Sequence, residues 1–220
     1  MGAVLGKAIE DKLGGRDVCR HLRVALDIWM GQVLLHKGEG PRQAPSGITG
    51  PMQMRSMLIV FAGLPGTGKS SVARELAGKL DAVWLRIDSI EQAIRDSAVL
   101  PGSIDDAGYR AAFAVAGDNL RLGRVIVTDS VNYWMVTRDA WRDLGVRAGA
   151  RVLEVEIVCS DREEHRRRIE TRATDVPGLV APDWAAVMER DYQPWNREHL
   201  TIDTAGSSVG DCVNQVLAAL

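Results

Sequence analysis

The segment from Gly63 to Ser70 carries the residue types and the spacing that bind nucleotide phosphates. It is GLPGTGKS and matches the pattern GxxxxGK[ST] at every position. Glycines let a backbone wrap closely, so that successive N–H groups point at phosphate oxygens. Lys69 is placed to reach the β- and γ-phosphates, and the Ser70 hydroxyl to bind Mg²⁺. We expect the nucleotide to contact the whole loop and the residue after it: Gly63, Leu64, Pro65, Gly66, Thr67, Gly68, Lys69, Ser70 and Ser71.

Two carboxylates end predicted strands downstream of this loop. Asp88 closes DAVWLRID, and Asp129 closes RVIVTD. Ligands of open α/β sheets bind beyond the carboxyl ends of the strands. Asp88 is therefore predicted to accept the proton of an attacking hydroxyl, and Asp129 to hold Mg²⁺ directly or through water. The alternatives are a capping box at Asp88–Glu91 and, for Asp129, an aspartate that merely ends its strand.

A basic helix is predicted after the fourth strand. Ser160–Glu163 has the pattern of a capping box, and the helix that follows carries Arg168 and Arg172, four residues apart and therefore on one face. Two guanidinium groups on one face are suited to clamp nucleotide phosphates and the charge of the transferred group. The alternative is a solvated helix, because Arg166 and Glu170 are spaced for an exposed ion pair.

Residues that suit an acceptor molecule follow the third strand, in SVNYWMVTRDAW. Asn132 and Tyr133 would contact a polar acceptor, and Arg138 an anionic one. A surface position without a ligand is the alternative for Arg138.

Strands and helices alternate from Met57 onward. Apolar runs predict strands at MLIVFAG, DAVWLRID, RVIVTD, RVLEVEIVC and LTIDT. Helical spacing predicts helices after the phosphate loop, at about 89–98, 105–122 and 137–148, and over 209–220. This order indicates an α/β fold with a parallel sheet covered on both faces.

Residues 1–56 differ from the remainder. Apolar residues at helical spacing predict one helix over about 16–36, and KGEGPRQAPSGITGP has the composition of a linker. We expect residues 1–56 to be dispensable and residues 57–220 to form the functional domain.

The composition excludes several classes of protein. Of 220 residues, 46% are hydrophobic and 25% charged, which is typical of a globular domain. The three cysteines form no CxxC pair, no apolar run reaches the ~18 residues of a membrane span, and the start lacks the apolar region of a signal peptide. A cytoplasmic protein without membrane partners is predicted. Residues 57–220 carry a net charge of −5, which argues against a nucleic-acid partner.

The loop, the two aspartates, the RxxxR helix and LTIDT together resemble P-loop kinases of the nucleoside-monophosphate-kinase-like group. That group includes gluconate kinase, adenylylsulfate kinase, chloramphenicol phosphotransferase, zeta toxins and polynucleotide kinase domains. RID, CSDxxEHRRR and YxPW are similar to segments of bacterial proteins labelled predicted kinase or AAA-family ATPase. The resemblance covers residues 57–220. It implies a three-layer fold with a five-stranded sheet in the order 2-3-1-4-5, a lid around Arg168–Arg172, Asp88 as acceptor-site base and Thr204 near the adenine.

The expected activity is transfer of the γ-phosphate from ATP–Mg to a small-molecule hydroxyl, with Lys69, Asp88, Arg168 and Arg172 as the catalytic set. ATP is favoured over GTP because no NKxD motif is present. The chain is too short for the helical second domain of AAA+ motors. A nucleotide-binding switch or regulatory ATPase and a polynucleotide 5′-kinase are the alternatives. Neither the acceptor nor the oligomeric state follows from the sequence.

Overall fold

The computed structural model describes residues 56–97 and 104–220. Residues 56–97 and 108–220 form one compact unit. The helix and linker predicted within residues 1–55 lie outside the described part of the chain. The elements, in chain order, are β1 (Met57–Ala62), α1 (Lys69–Leu80), β2 (Val83–Arg86), α2 (Ile87–Asp96), α3 (Ala107–Arg121), β3 (Val125–Asp129), α4 (Met135–Arg147), β4 (Arg151–Val158), α5 (Arg162–Thr171), α6 (Trp184–Met188), β5 (Leu200–Asp203) and α7 (Val209–Ala218).

The five strands form one sheet in the order β2-β3-β1-β4-β5, and every pairing is parallel. This confirms the predicted fold class and strand order. Strand β1 lies at the centre, and residues 58–62 have no exposed surface. A parallel strand covered on both faces requires such an uninterrupted apolar run.

One face of the sheet packs against α1 and α7. Alternate strand residues such as Phe61, Val155 and Ile202 meet Leu76 of α1 and Val213 of α7 in a single apolar cluster. The helical spacing of apolar residues in both helices matches this contact. This apolar packing sets the position of α1 against the sheet, and therefore the position of the loop that leads from β1 into α1.

Helix α4 packs on the other face, against β1 and β4. Trp141 is fully buried there. At Gly145 a β-carbon would lie 2.4 Å from Val152 Cγ2, so only glycine lets the helix approach the sheet this closely. This close packing sets the position of α4 and therefore of the loop that joins it to β3.

Three predicted element boundaries are wrong. Strand β2 ends at Arg86, whose backbone serves as N-cap of α2, so Asp88 lies in the first turn of that helix and does not cap it. Helix α5 is capped by Asp161, whose carboxylate accepts hydrogen bonds from the N–H groups of Glu163 and Glu164, and not by Ser160. Arg172 follows α5 in an extended conformation, so it does not continue the face of Arg168.

Candidate active site

The phosphate-binding loop leaves β1 at Gly63 and enters α1 at Lys69. Two of its glycines are required by close contacts. At Gly63 (φ 140°) a β-carbon would lie 2.2 Å from the carbonyl oxygen of Ile157, and at Gly66 (φ 83°) one would lie 2.4 Å from Ile169 Cδ1. No side chain caps the start of α1. The positive end of this helix therefore remains available to a phosphate.

Lys69 and Asp129 are brought together at the carboxyl edge of the sheet. Lys69 Nζ lies 3.8 Å from Asp129 Oδ1, and both side chains are buried. Arg86 Nε lies 3.9 Å from Asp129 Oδ2, because Arg86 and Asp129 are partners in the β2–β3 register. Two cations thus flank one buried carboxylate beside the phosphate loop.

Thr204 connects the end of β5 to the phosphate loop. Its Oγ1 lies 2.7 Å from the carbonyl oxygen of Thr67 and 3.1 Å from that of Val158. Arg168 donates to the same hydroxyl at 2.7 Å, to the Thr204 carbonyl at 2.9 Å and to Glu164 Oε1 at 2.6 Å. Arg168 therefore lies beside the phosphate loop, and its guanidinium is held by Glu164 of α5 and by Thr204, the residue that follows β5.

Arg172 and Asp88 lie elsewhere in the site. The charges that act on Arg172 come from Asp88, Arg86 and Arg190, while burial lowers the pKa of its guanidinium most strongly. The ion pair between Arg86 Nη1 and Asp175 Oδ1, at 2.8 Å, ties the segment after Arg172 to the end of β2. The predicted placement of both arginines on one helix face is therefore wrong: Arg168 binds Thr204 and Glu164 beside the phosphate loop, whereas Arg172 interacts with the charge of Asp88.

Asn132 and Arg138, predicted to contact an acceptor, are both buried and engaged by the protein. Asn132 (φ 46°) donates to the carbonyl oxygen of Phe61 at 2.7 Å. Arg138 is 1% exposed and donates to the carbonyl oxygens of Asn132 at 2.7 Å and Gln193 at 2.8 Å. Its guanidinium also lies over the ring of Trp195, at 4.4 Å. These positions suit a structural role that holds the loop after β3, and not contact with an acceptor.

Tyr133 differs from Asn132 and Arg138 in its exposure. It is partly exposed, and its ring packs against Trp134 with the centroids 4.4 Å apart. The Arg190 guanidinium lies 5.8 Å from its centroid. Burial raises the pKa of the Tyr133 hydroxyl, with Arg190 acting in the opposite direction and Glu91 adding to the rise. Of the three predicted acceptor residues that follow β3, Tyr133 is the one that is not buried.

The donor set fits a magnesium ion. Asp129 Oδ2 is buried and accepts no hydrogen bond from the part of the chain that is described, and Ser70 follows Lys69 at the start of α1. A hydroxyl and one carboxylate, completed by phosphate oxygens and water, are the ligands typical of Mg²⁺ in nucleotide sites. Within residues 56–97 and 104–220 no group of three or more acidic, histidine or cysteine side chains forms a metal site by itself. A Mg²⁺ ion here would thus depend on the nucleotide.

The chain matches one known family of protein domains. A family model described as "AAA domain" matches residues 58–190, more than half of the chain. The chain belongs to this AAA-domain family. Its parallel sheet in the order 2-3-1-4-5 is that of the P-loop kinase fold.

Curated relatives of this AAA-domain chain include an uncharacterized protein of Mycobacterium tuberculosis and one of Mycobacterium bovis. Each is 32% identical over 162 residues, which cover 68% of this chain and 32% of the relative. The chain therefore spans about a third of the length of these relatives.

Two solved structures illustrate the fold. One is the adenylylsulfate (APS) kinase of Mycobacterium tuberculosis in complex with AMPPNP and APS, with a TM-score of 0.56, 22% identity, and coverage of 74% of this chain and 96% of the other. The other is a gluconokinase of Sinorhizobium meliloti, with a TM-score of 0.52, 22% identity, and coverage of 76% and 92%. Likeness at this level of identity shows that the AAA-domain chain has the fold of P-loop kinases.

No helix in the described portion is long and apolar enough to cross a membrane.

Several residues of this AAA-domain site were not predicted. Arg86 and Arg190 act, with Asp88, on the charge of Arg172, and His165 Nε2 lies 2.8 Å from the carbonyl oxygen of Pro65 in the phosphate loop. Arg86 precedes Asp88 by two residues in a strand that ends at the site edge, a signal that sequence reasoning had available. His165 and Arg190 are brought in by the packing of α5 and α6, which local spacing does not encode.

Proposed function

We propose that the chain transfers the γ-phosphoryl group of ATP–Mg to a hydroxyl of a small-molecule acceptor. The observation that carries the proposal is the convergence at one sheet edge of Lys69 from the phosphate loop, Asp129 from β3 and the start of α2 with Asp88. These groups supply a phosphate-binding cation, a carboxylate for Mg²⁺ and a second carboxylate for a proton.

In the proposed reaction the acceptor oxygen attacks the γ-phosphorus in line with the leaving group. The new O–P bond forms as the bond from the γ-phosphorus to the bridging oxygen breaks, and ADP leaves with that electron pair. Asp88 accepts the proton of the attacking hydroxyl. Lys69 and the N–H groups at the start of α1 offset the negative charge on the phosphoryl oxygens. Asp88 and Lys69 thus act on opposite sides of the transferred group.

ATP is the proposed nucleotide, with Mg²⁺ bound through Ser70 and Asp129. When bound, Mg²⁺ neutralises charge on the β- and γ-phosphates. Arg168 and Thr204 hold the segment after β5 against the carbonyl of Thr67. This contact supports a nucleotide whose base lies between α5 and the loop after β5, and therefore the proposed position of Thr204 near the adenine.

The proposal is tested by an acceptor screen with γ-³²P-ATP and Mg²⁺ over sugars, sugar acids, nucleosides, nucleotides, antibiotics and RNA ends. Transfer of label to one class of small molecule is expected. Lys69→Ala should abolish both AMPPNP–Mg binding and transfer, while Lys79→Ala, which removes an exposed lysine paired with Glu75 on the same helix, should change neither. Normal ATP–Mg binding by Lys69→Ala would contradict the assigned loop. Nucleotide binding by the wild type without transfer to any acceptor would favour a nucleotide-dependent switch.

A further inference from the structure

The segment YQPW, residues 192–195, follows α6 and lies against the start of α4. Arg138 of α4 is buried, and its guanidinium lies 4.9 Å from the centroid of the Tyr192 ring and 4.4 Å from that of Trp195. The same guanidinium donates to the carbonyl oxygen of Gln193 at 2.8 Å. The proline that comes next favours an extended backbone at Gln193. A buried cation of α4 therefore holds the YQPW segment in place.

Gln193 binds the loop between β3 and α4 through both its backbone and its side chain. Its N–H group donates to the carbonyl oxygen of Tyr133 at 2.9 Å. Its Oε1 accepts from the N–H group of Met135, the first residue of α4, at 2.8 Å. The first N–H groups of a helix need partners from outside the helix, and the side chain of Trp134, the N-cap of α4, supplies no capping bond to the described residues. Gln193 thus caps α4 from 58 residues away in the chain.

The loop between β3 and α4 is bonded in turn to the phosphate loop. Gly63, where the phosphate loop begins, donates its N–H group to the carbonyl oxygen of Val131 at 3.0 Å. The Asn132 side chain donates to the carbonyl oxygen of Phe61 at 2.7 Å, and Arg138 Nε donates to the carbonyl oxygen of Asn132 at 2.7 Å. Asn132 has a φ of 46°, a conformation that persists only where the surrounding contacts impose it. The phosphate loop and the YQPW segment therefore bind the same strained loop from two sides.

We propose that Gln193 is a positioning residue for nucleotide binding. Its two hydrogen bonds hold the loop between β3 and α4 in the conformation that presents the Val131 carbonyl to Gly63. Gln193 acts through this loop and not on the nucleotide itself. Without its bonds, Asn132 is free to relax toward a negative φ, and the phosphate loop loses its alignment. The inference rests on the proposed function, since it requires ATP–Mg to bind at the phosphate loop, and it gives the YQPW segment a role in that binding.

The test measures the AMPPNP–Mg affinity of full-length variants by calorimetry, at a temperature at which thermal unfolding shows each variant to be folded. Gln193→Met keeps the length of the side chain and removes the acceptor for Met135, so AMPPNP–Mg binding should weaken about fivefold. Gln193→Glu keeps an acceptor at a helix start, where negative charge is favoured, and should bind like the wild type. Asn196→Ala is the matched control, because it removes an exposed amide nearby that donates to Met135 Sδ, and it should also bind like the wild type. A purely structural role would lower stability and leave the affinity of the folded protein unchanged.

A second measurement uses the wild type and does not depend on the folding of any variant. Coupling between two places in a protein is reciprocal. Binding of AMPPNP–Mg should therefore slow hydrogen exchange at the N–H groups of Gln193 and Met135, by about fivefold.

Three outcomes would overturn this inference and leave the proposed function intact. They are unchanged exchange at both N–H groups, wild-type affinity in Gln193→Met, and an equal loss of affinity in Gln193→Met and Gln193→Glu, since the acceptor would then have no effect. Failure of the wild type to bind AMPPNP–Mg would overturn the inference and the proposed function together.

Discussion

His165 of α5 and Pro65 of the phosphate loop are joined by a hydrogen bond: Nε2 of the histidine lies 2.8 Å from the proline carbonyl oxygen. The bond requires a proton on Nε2. His165 is buried, and its ring stands edge-on to Trp184 of α6 at 5.2 Å. Ile169 packs on Gly66 in the same place. The conformation of the phosphate loop is therefore coupled to the positions of α5 and α6.

Replacing His165 tests this coupling. His165→Ala leaves the Pro65 carbonyl without its donor and opens a gap beside Gly66, so we expect a loss of about 1–3 kcal/mol in stability and weaker AMPPNP–Mg binding. Chemical denaturation with and without AMPPNP–Mg measures both. Arg166→Ala is the control, since Arg166 is exposed on the same helix and, within residues 56–97 and 104–220, pairs only with Glu170. Equal behaviour of the two variants would show that the hydrogen bond does not support the loop.

Thr204→Val removes a hydroxyl while retaining the volume of the side chain. The Thr67 carbonyl loses its donor and Arg168 loses one acceptor, so the affinity for ATP–Mg should fall about tenfold. Isothermal titration measures the change. Thr201→Val, at an exposed position of β5 three residues earlier, should leave the affinity unchanged. An unaltered affinity in Thr204→Val would remove this residue from the nucleotide site.

Glu154→Ala should damage stability without affecting nucleotide binding. The Glu154 side chain is 2% exposed and accepts hydrogen bonds from Arg197 at 2.6 and 2.7 Å and from Arg142 at 3.2 Å. The bond to Glu154 raises the pKa of Arg197 above its usual value. Removing one partner of a buried pair costs about 3–5 kcal/mol. Thermal unfolding should show this loss, while Glu170→Ala, which breaks an exposed pair, should stay close to the wild type.

Acidification should lower the stability that the Asp203 carboxylate contributes at the end of β5. Asp203 Oδ1 accepts hydrogen bonds from the N–H groups of Ser160 and Ala205, each at 3.0 Å. Hydrogen bonding from Ser160, through its side chain above all, holds the pKa of this carboxyl below its ordinary 3.8. A lowered pKa stabilises the fold above pH 3.8, and that contribution is lost as the pH falls through the lowered value. The melting temperature of the wild type should therefore exceed that of Asp203→Asn at neutral pH and approach it in acid. A constant difference across this range would contradict the assignment.

Much of the fold could be predicted because it follows from local patterns. The apolar run at Leu58–Ala62 is buried on both faces, and the spacing in α7 matches its contact with α1. The loop GLPGTGKS encodes its own conformation through glycines that no other residue could replace at Gly63 and Gly66. Asp129 also lies where the end of an apolar strand predicted it.

The remainder of the site depends on contacts distant in sequence. Arg138 looked like a surface or ligand-binding arginine, but the segment around Gln193 covers it with carbonyl oxygens. Arg172 was expected to share a face with Arg168, but α5 ends before it and the chain turns toward Arg86. Helical spacing cannot reveal either outcome, because each depends on a partner more than 50 residues away.

Asp88→Asn tests most directly whether Asp88 acts as the base in phosphoryl transfer from ATP–Mg. The measurement is the rate of transfer from γ-³²P-ATP to the acceptor found by screening, together with AMPPNP–Mg affinity. Asp88→Asn should bind AMPPNP–Mg like the wild type and transfer phosphate at least about 100-fold more slowly. The control is Asp96→Asn, because Asp96 is an exposed aspartate of the same helix. This substitution should change neither the AMPPNP–Mg affinity nor the rate of transfer. Transfer by Asp88→Asn at the wild-type rate would contradict the account.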